Sequence, residues 1–240
     1  MRSLVTLLCA CVLAQQFLFG QNALAASLAK IHQAYRSLRG NPNIEKLVML
    51  DQELRRLLPP AGPFASANDL RPEYEEIGLT RGAFESGILV YSGKLLVDAH
   101  KIDPNSPYRS YTLYATVFPD GREDRTAVPS PAAARRYVEE FPDGPFGLEA
   151  NLALAHFYDD LFKVIQRLVA GARNAKNYKY NCYSRYLSDR PLREQLSLAQ
   201  QSALSFYRRA LAHRPEARNV RESIANLERG SSPGWFFCFD

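Results

Sequence analysis

The chain has 240 residues, with 30 Lys and Arg against 25 Asp and Glu, for a formal charge of +5. Hydrophobic residues make up 46% and charged residues 23%, a globular balance that excludes a wholly disordered chain, a collagen-like chain and a multi-span membrane protein. So mild a positive charge does not argue for a nucleic-acid partner.

The first segment reads as an export signal over residues 1–25. Arg2 gives a positive start, Leu4 to Ala14 is almost wholly apolar, Phe17 to Phe19 extends the run, and Ala23-Leu24-Ala25 has the small-x-small pattern of a cleavage site. Gln15 and Gln16 interrupt the run short of the ~20 apolar residues that an uncleaved anchor needs. Leu8-Cys9-Ala10-Cys11 faintly resembles a lipidation site, but it lies very early and apolar residues follow it. The expected location is therefore periplasmic or secreted, and no later apolar run is long enough to span a membrane. Cleavage removes Arg2, Cys9 and Cys11, which leaves Cys182 and Cys238. In an oxidising compartment these two form one bridge or stay as two unpaired buried thiols.

The remainder reads as helix after helix. Ser27 is expected to cap a helix to Arg39 with Leu28, Ile31, Tyr35 and Leu38 on one face. Gly40 stops it. Asn41-Pro42 then starts a second helix with Leu47, Leu50, Leu54 and Leu57, ended by Pro59-Pro60. These make an N-terminal helical hairpin over 26–60, followed by a Pro/Ala/Gly/Ser-rich linker over 61–72. The stretch Ile88 to Val97 reads as a helix, by analogy with its surroundings, or as a β-hairpin turning at Ser92-Gly93. Tyr111 to Val117 is ambiguous in the same way, and Gly121 to Ser130 reads as a polar loop. Ser130-Pro131 caps and starts a helix with Ala134, Tyr137, Val138 and Phe141, stopped by Pro142. Leu148 opens a stripe of Leu152, Ala155, Tyr158, Phe162, Ile165 and Val169. Residues 192–213 carry Leu192, Leu196, Ala199, Ala203, Tyr207 and Ala210. Val220, Ile224 and Leu227 form the last stripe, ended by Gly230.

An internal repeat is visible. Asp103-Pro104-Asn105-Ser106-Pro107-Tyr108 and Phe141-Pro142-Asp143-Gly144-Pro145-Phe146 share two prolines and an aromatic, 38 residues apart. Self-similarity of this period points to a helical solenoid. The chain then resembles the tetratricopeptide-repeat superfamily. Ala203, Tyr207, Ala210-Leu211 and Pro215 match its second helix and the proline after it. Leu154-Ala155 and Tyr158 match its first helix, and Ile224-Ala225 begins a partial third match. The Phe-Pro-Asp-Gly-Pro-Phe turn is similar to variant repeats of envelope proteins that act in outer-membrane assembly and cell-division coordination. The resemblance implies an all-α, irregular helical-hairpin solenoid over 73–230. Small residues would let helices approach and large ones would fill the gaps between hairpins. The matching halves lie too far apart for one repeat, which implies an insertion at about 163–197.

The candidates for chemistry are few. His32, His100, His156 and His213 lie on four different predicted helices without a zinc-ligand spacing. No phosphate-binding glycine loop or hydrolase elbow occurs, and no cofactor or metal is called for. Glu85-Ser86-Gly87 resembles the acid-bearing tripeptide of peptidoglycan-cutting enzymes, with Phe84, Ile88 and Leu89 able to raise the carboxyl pKa. The downstream Gly-Leu-Met-Gln signature of that family is absent. A solvated helix glutamate is the other reading.

The most unusual composition lies inside the insertion. Tyr178, Tyr180, Tyr183 and Tyr186 alternate with Lys179, Arg185 and Arg190 around Cys182. Tyr and Arg predominate at binding hot spots, so Tyr178, Tyr180, Tyr183, Tyr186 and Arg185 are candidates for partner contact. They can equally cover the helices as a packed loop held by a Cys182–Cys238 bridge. The aromatic tail over 231–240 caps the last helix or docks on a partner. Arg135-Arg136 and Arg208-Arg209 read as solvated helix faces. The function expected is a binding scaffold or adaptor for another envelope protein or peptide. The alternatives are a glycan-cleaving enzyme using Glu85 and a purely structural envelope component. The oligomeric state is left open by the sequence.

Overall fold

The computed structural model describes residues 23–58, 71–81, 89–118, 128–170, 183 and 185–232. Glu85, Tyr178, Tyr180, Cys182 and Cys238 lie outside the described residues, as do the export segment up to residue 22 and the aromatic tail from residue 233. The described fold is mostly helical, with one small two-stranded sheet. It forms two compact units, Met1–Asp103 and Pro104–Asp240. The division falls at the first proline turn, inside the stretch expected to be one repeat-like domain over 73–230. No helix among the described residues is long and apolar enough to cross a membrane.

In the first unit, helix α1 covers residues 23–37 and α2 covers Ile44–Leu57. Ser27 does not cap α1. It lies one turn inside, and its hydroxyl donates back to the Ala23 carbonyl at 2.9 Å, the local bond that a mid-helix serine makes when no cap is needed. Leu28, Ile31 and Leu38 are buried as the period requires. The second helix starts two residues later than Asn41-Pro42 implies. Asn43 caps it, with its side-chain oxygen accepting from the Lys46 amide at 2.9 Å. Leu47 and Leu54 reach the core, and between them Asp51 is fully buried.

A 3-10 helix, Pro72–Ile77, leads into strand β1, Leu79–Arg81, which pairs antiparallel with β2, Leu89–Tyr91. Helix α3, Lys94–Ile102, follows. Neither expectation for Ile88 to Val97 holds whole. Leu89-Val90-Tyr91 is a strand, but its partner is the earlier segment 79–81, while Leu95-Leu96-Val97 is helical. Gly93 explains the switch. It sits at φ +75° as the residue before α3, a left-handed position open to glycine at little cost. Gly78 at φ +83° makes the companion bend, and its carbonyl accepts from the Ser92 amide at 2.8 Å. The fold is thus mostly helical, in keeping with the all-α expectation, with this one short ribbon.

In the second unit, α4, Arg109–Thr112, tightens into a 3-10 turn, Leu113–Thr116. It is followed by α5, Pro131–Glu140, α6, Gly147–Val169, α7, Leu192–His213, and α8, Arg218–Glu228. Ser130 caps α5 as expected, accepting from the Ala133 amide. Helix α6 packs against both α5 and α7, and α7 against α8. Because α6 is covered on two sides, burial does not follow a single stripe. Ala153, Leu154, Phe157 and Leu161 are buried beside Ala155, Phe162 and Ile165, whereas Val169 is exposed. Regular helix occupies residues 163–169 and 192–197 of the stretch expected to be an insertion.

The two proline segments fold alike. Each runs through the same succession of turn and bend states before its helix begins, at Arg109 and at Gly147. Equivalent backbone bonds recur: Arg109 donates to Ser106 and Gly147 to Gly144, and Thr112 donates to Tyr108 and Ala150 to Phe146. The repeat seen in the sequence is therefore a repeat of local backbone structure.

Candidate functional site

The middle of α6 carries two adjacent acids, Asp159 and Asp160, with Lys163 one turn on. Helical spacing alone puts the lysine within reach of both. Its Nζ lies 3.0 Å from Asp160 Oδ1 and 3.8 Å from Asp159 Oδ2. Three further chain segments complete the cluster. The Tyr207 hydroxyl of α7 donates to Asp159 Oδ2 at 3.1 Å. The Tyr183 hydroxyl, from the connection after α6, donates to Asp160 Oδ2 at 3.2 Å. Ser232, beyond α8, hydrogen-bonds Asp159 Oδ1.

Burial sets the electrostatics of this cluster. It pushes the Asp160 carboxyl above the ordinary aspartate range, against the lowering effect of Lys163. It also pushes the Tyr183 and Tyr207 phenols well above the usual tyrosine range, aided by the neighbouring carboxylates. The acids already accept internal donors from four segments, so the cluster's chemistry is fastening. It ties the connection after α6 and the residues after α8 to the α6–α7 pair.

That fastening decides which insertion residues a partner can touch. Tyr183 is only 3% exposed; its ring packs against Phe157 at 5.5 Å between centroids. Tyr186 meets the same Phe157 edge-on at 4.7 Å and stays half-buried. Arg185 is exposed and lies over the Tyr186 ring at 5.0 Å. Of the five candidates for partner contact, the described three thus divide into an internal anchor, a half-covered ring and a presented cation.

The repeat-packing candidates come together on α6 and α7. Leu154, Ala155, Ala203 and Ala210 are fully buried, and Tyr207 nearly so. The start of α6 lies beside the end of α7, where a Cβ on Gly147 would come within 3.0 Å of His213. With Asp159 opposite Tyr207, the two helices run antiparallel. Tyr158 is only half-buried. Pro215 sits in the exposed turn between α7 and α8, and its carbonyl accepts from Arg221.

One feature of the surface was missed in the sequence. The Tyr158 and Phe206 rings stack at 5.9 Å with an interplanar angle of 12°. Arg135 from α5 lies over both, 5.4 Å from the Tyr158 centroid and 5.7 Å from that of Phe206. Its Nη2 donates to the Tyr158 hydroxyl at 2.6 Å. Arg209 lies 5.3 Å from the Phe206 centroid. The four residues come from three helices, and only the arginine doublets offered any signal.

No group of His, Cys, Asp and Glu among the described residues is arranged to hold a metal ion. Comparisons of this chain with protein-family models, with curated proteins and with solved structures find no match.

Proposed function

We propose that this chain is an exported, tetratricopeptide-like helical adaptor that binds a segment of another envelope protein. It works by presenting side chains on a rigid helical frame and carries out no bond-making chemistry of its own. The observation that carries this reading is the anchoring of the connection after α6. Tyr183 is locked inward on Asp160, Tyr186 packs on Phe157, and Arg185 is held outward over Tyr186. Side chains held in this way lose little entropy when a partner docks, which is how residues on a rigid scaffold acquire affinity. The close burial of Ala155, Ala203 and Ala210 supports a stacked-hairpin frame beneath it.

The test is to tag the mature protein, crosslink it in its native envelope fraction and identify what co-purifies by mass spectrometry. The expected result is one or a few stoichiometric envelope proteins, lost when Arg185 and Tyr186 are both replaced by alanine. Recovery of no protein partner, or a partner indifferent to that pair, would sink the reading.

A further inference from the structure

The two arginine doublets split in the same way. Arg136 is taken by Glu140 at 2.7 Å and Arg208 by Glu228 at 2.8 Å. Their neighbours Arg135 and Arg209 turn to the Tyr158–Phe206 stack instead, and among the described residues no carboxylate pairs with either. Both guanidinium groups lie within 6 Å of the one Phe206 ring, on exposed residues of different helices. Two like charges gathered at one aromatic ring repel each other, and among the described residues no carboxylate pairs with them to relieve it.

The chemistry of the missing anion follows from the geometry. Arg135 spends one Nη2 hydrogen on the Tyr158 hydroxyl and keeps its other N–H groups for a partner, and a guanidinium is weakly hydrated, so it gives up water readily. A planar carboxylate matches the guanidinium fork with two parallel bonds. A sugar acid would also need hydroxyl-directed partners. The only hydroxyl among these four residues, on Tyr158, is already engaged by Arg135.

We propose that this face binds an acidic peptide segment, with Arg135 and Arg209 each receiving a carboxylate above the Tyr158–Phe206 plate. The proposal rests on the adaptor reading and adds the chemical class of its partner, at a surface separate from Arg185.

The test is fluorescence anisotropy on the full mature chain with a labelled Glu-Ala repeat peptide, and its Gln-Ala counterpart as a neutral control. The Glu-Ala peptide should bind and the control should not. Replacing Arg135 and Arg209 together by glutamine should weaken binding about tenfold or more. The same charge removed at Arg136 and Arg208 should change it less than about threefold. Arg135→Lys with Arg209→Lys should also lose most of the affinity, because lysine keeps the charge and lacks the fork. Thermal melts by circular dichroism establish that each variant is folded. Equal losses in the two glutamine pairs would reduce the effect to diffuse charge and overturn the proposal. So would absence of binding to Glu-Ala, or tighter binding of a polyuronic acid than of the peptide. Failure here alongside a captured envelope partner removes only this inference. Failure to capture any protein removes the adaptor reading beneath it.

Discussion

The turns at residues 103–108 and 141–146 have the same backbone and are held by opposite means. The later turn is closed from inside. The Tyr137 hydroxyl, buried in the unit, donates to the Ser110 carbonyl at 2.8 Å and accepts from the Phe146 amide at 3.0 Å. That hydroxyl occupies space that only glycine leaves open, since a Cβ on Gly144 would stand 2.7 Å from it and 2.8 Å from Phe141 Cβ. In the earlier turn the equivalent positions are Ala99 and Ser106. A short residue replaces the tyrosine, and a residue with a Cβ replaces the glycine. This turn is held from outside by Arg109, which donates to the Pro104 carbonyl at 2.8 Å and forks onto Glu140 at 2.8–3.1 Å. Prolines and turn residues suffice to shape such a segment. What retains it in place is a separate tertiary matter, met here once by a buried phenol and once by a surface ion pair.

The largest effect should come from Tyr137→Ala. It removes a wholly buried ring together with both hydroxyl bonds, and about 3–5 kcal/mol of unfolding free energy should disappear in urea melts. Gly144→Ala should cost about 1–3 kcal/mol through overpacking against the Tyr137 hydroxyl. Ser106→Ala at the equivalent site should change stability by less than about 0.5 kcal/mol in the same melts. A double-mutant cycle sharpens the point: in the Tyr137→Ala background the Gly144→Ala penalty should shrink by the share due to the hydroxyl, while the share due to Phe141 Cβ and its carbonyl, 2.8 and 3.0 Å from the added Cβ, should remain. An undiminished penalty there would break the account of why the two turns differ.

Acidity separates inside from outside in the same way. Burial raises the Asp160 carboxyl. The folded state therefore binds the proton more tightly than the unfolded chain, and stability is lost as pH rises out of the ordinary aspartate range. Asp160→Asn lacks that loss, so its stability relative to the parent, read from urea melts at stepped pH, should improve as pH rises from the ordinary aspartate range through the raised folded value. Glu140 goes the other way, because hydrogen bonds from Arg136 and Arg109 hold its carboxyl below the usual range. Its contribution is present above the ordinary glutamate range and is lost as pH falls through the lowered folded value. Being a surface group, it should give the smallest effect. Glu140→Gln should speed hydrogen exchange of the Arg109 amide and leave that of Gly147 unchanged, and high salt should erase the difference.

Much of the helical layout could be read from local signals. Ser130-Pro131, Pro142 and Gly230 bound helices where capping rules put them, and the two proline turns announced themselves as a pair. The errors arose where a local rule met a tertiary demand. Asn43 displaced Asn41 as a cap because its side chain reaches the Lys46 amide. Residues 89–91 became a strand because 79–81 pair with them. Asp51, Asp159 and Asp160 break the apolar period, and beside local pairing to Arg55 and Lys163 they rest on the distant hydroxyls of Tyr91, Tyr207 and Tyr183, which sequence spacing does not bring together. The arginine–aromatic face was illegible for a related reason. Its members lie on α5, α6 and α7, and each looks like an ordinary helix residue until the three are packed together.

The buried phenols have an optical consequence. Tyr91 in the first unit, and Tyr183 and Tyr207 in the second, keep their protons far into alkali because burial disfavours the phenolate. Surface tyrosines ionise near their usual pH and shift their ultraviolet absorption as they do. In an alkaline titration each should stay spectroscopically silent until its own unit opens, Tyr91 with the first unit and Tyr183 and Tyr207 together with the second. The chain thus carries an intrinsic absorbance signal of its unfolding that needs neither a label nor its one tryptophan.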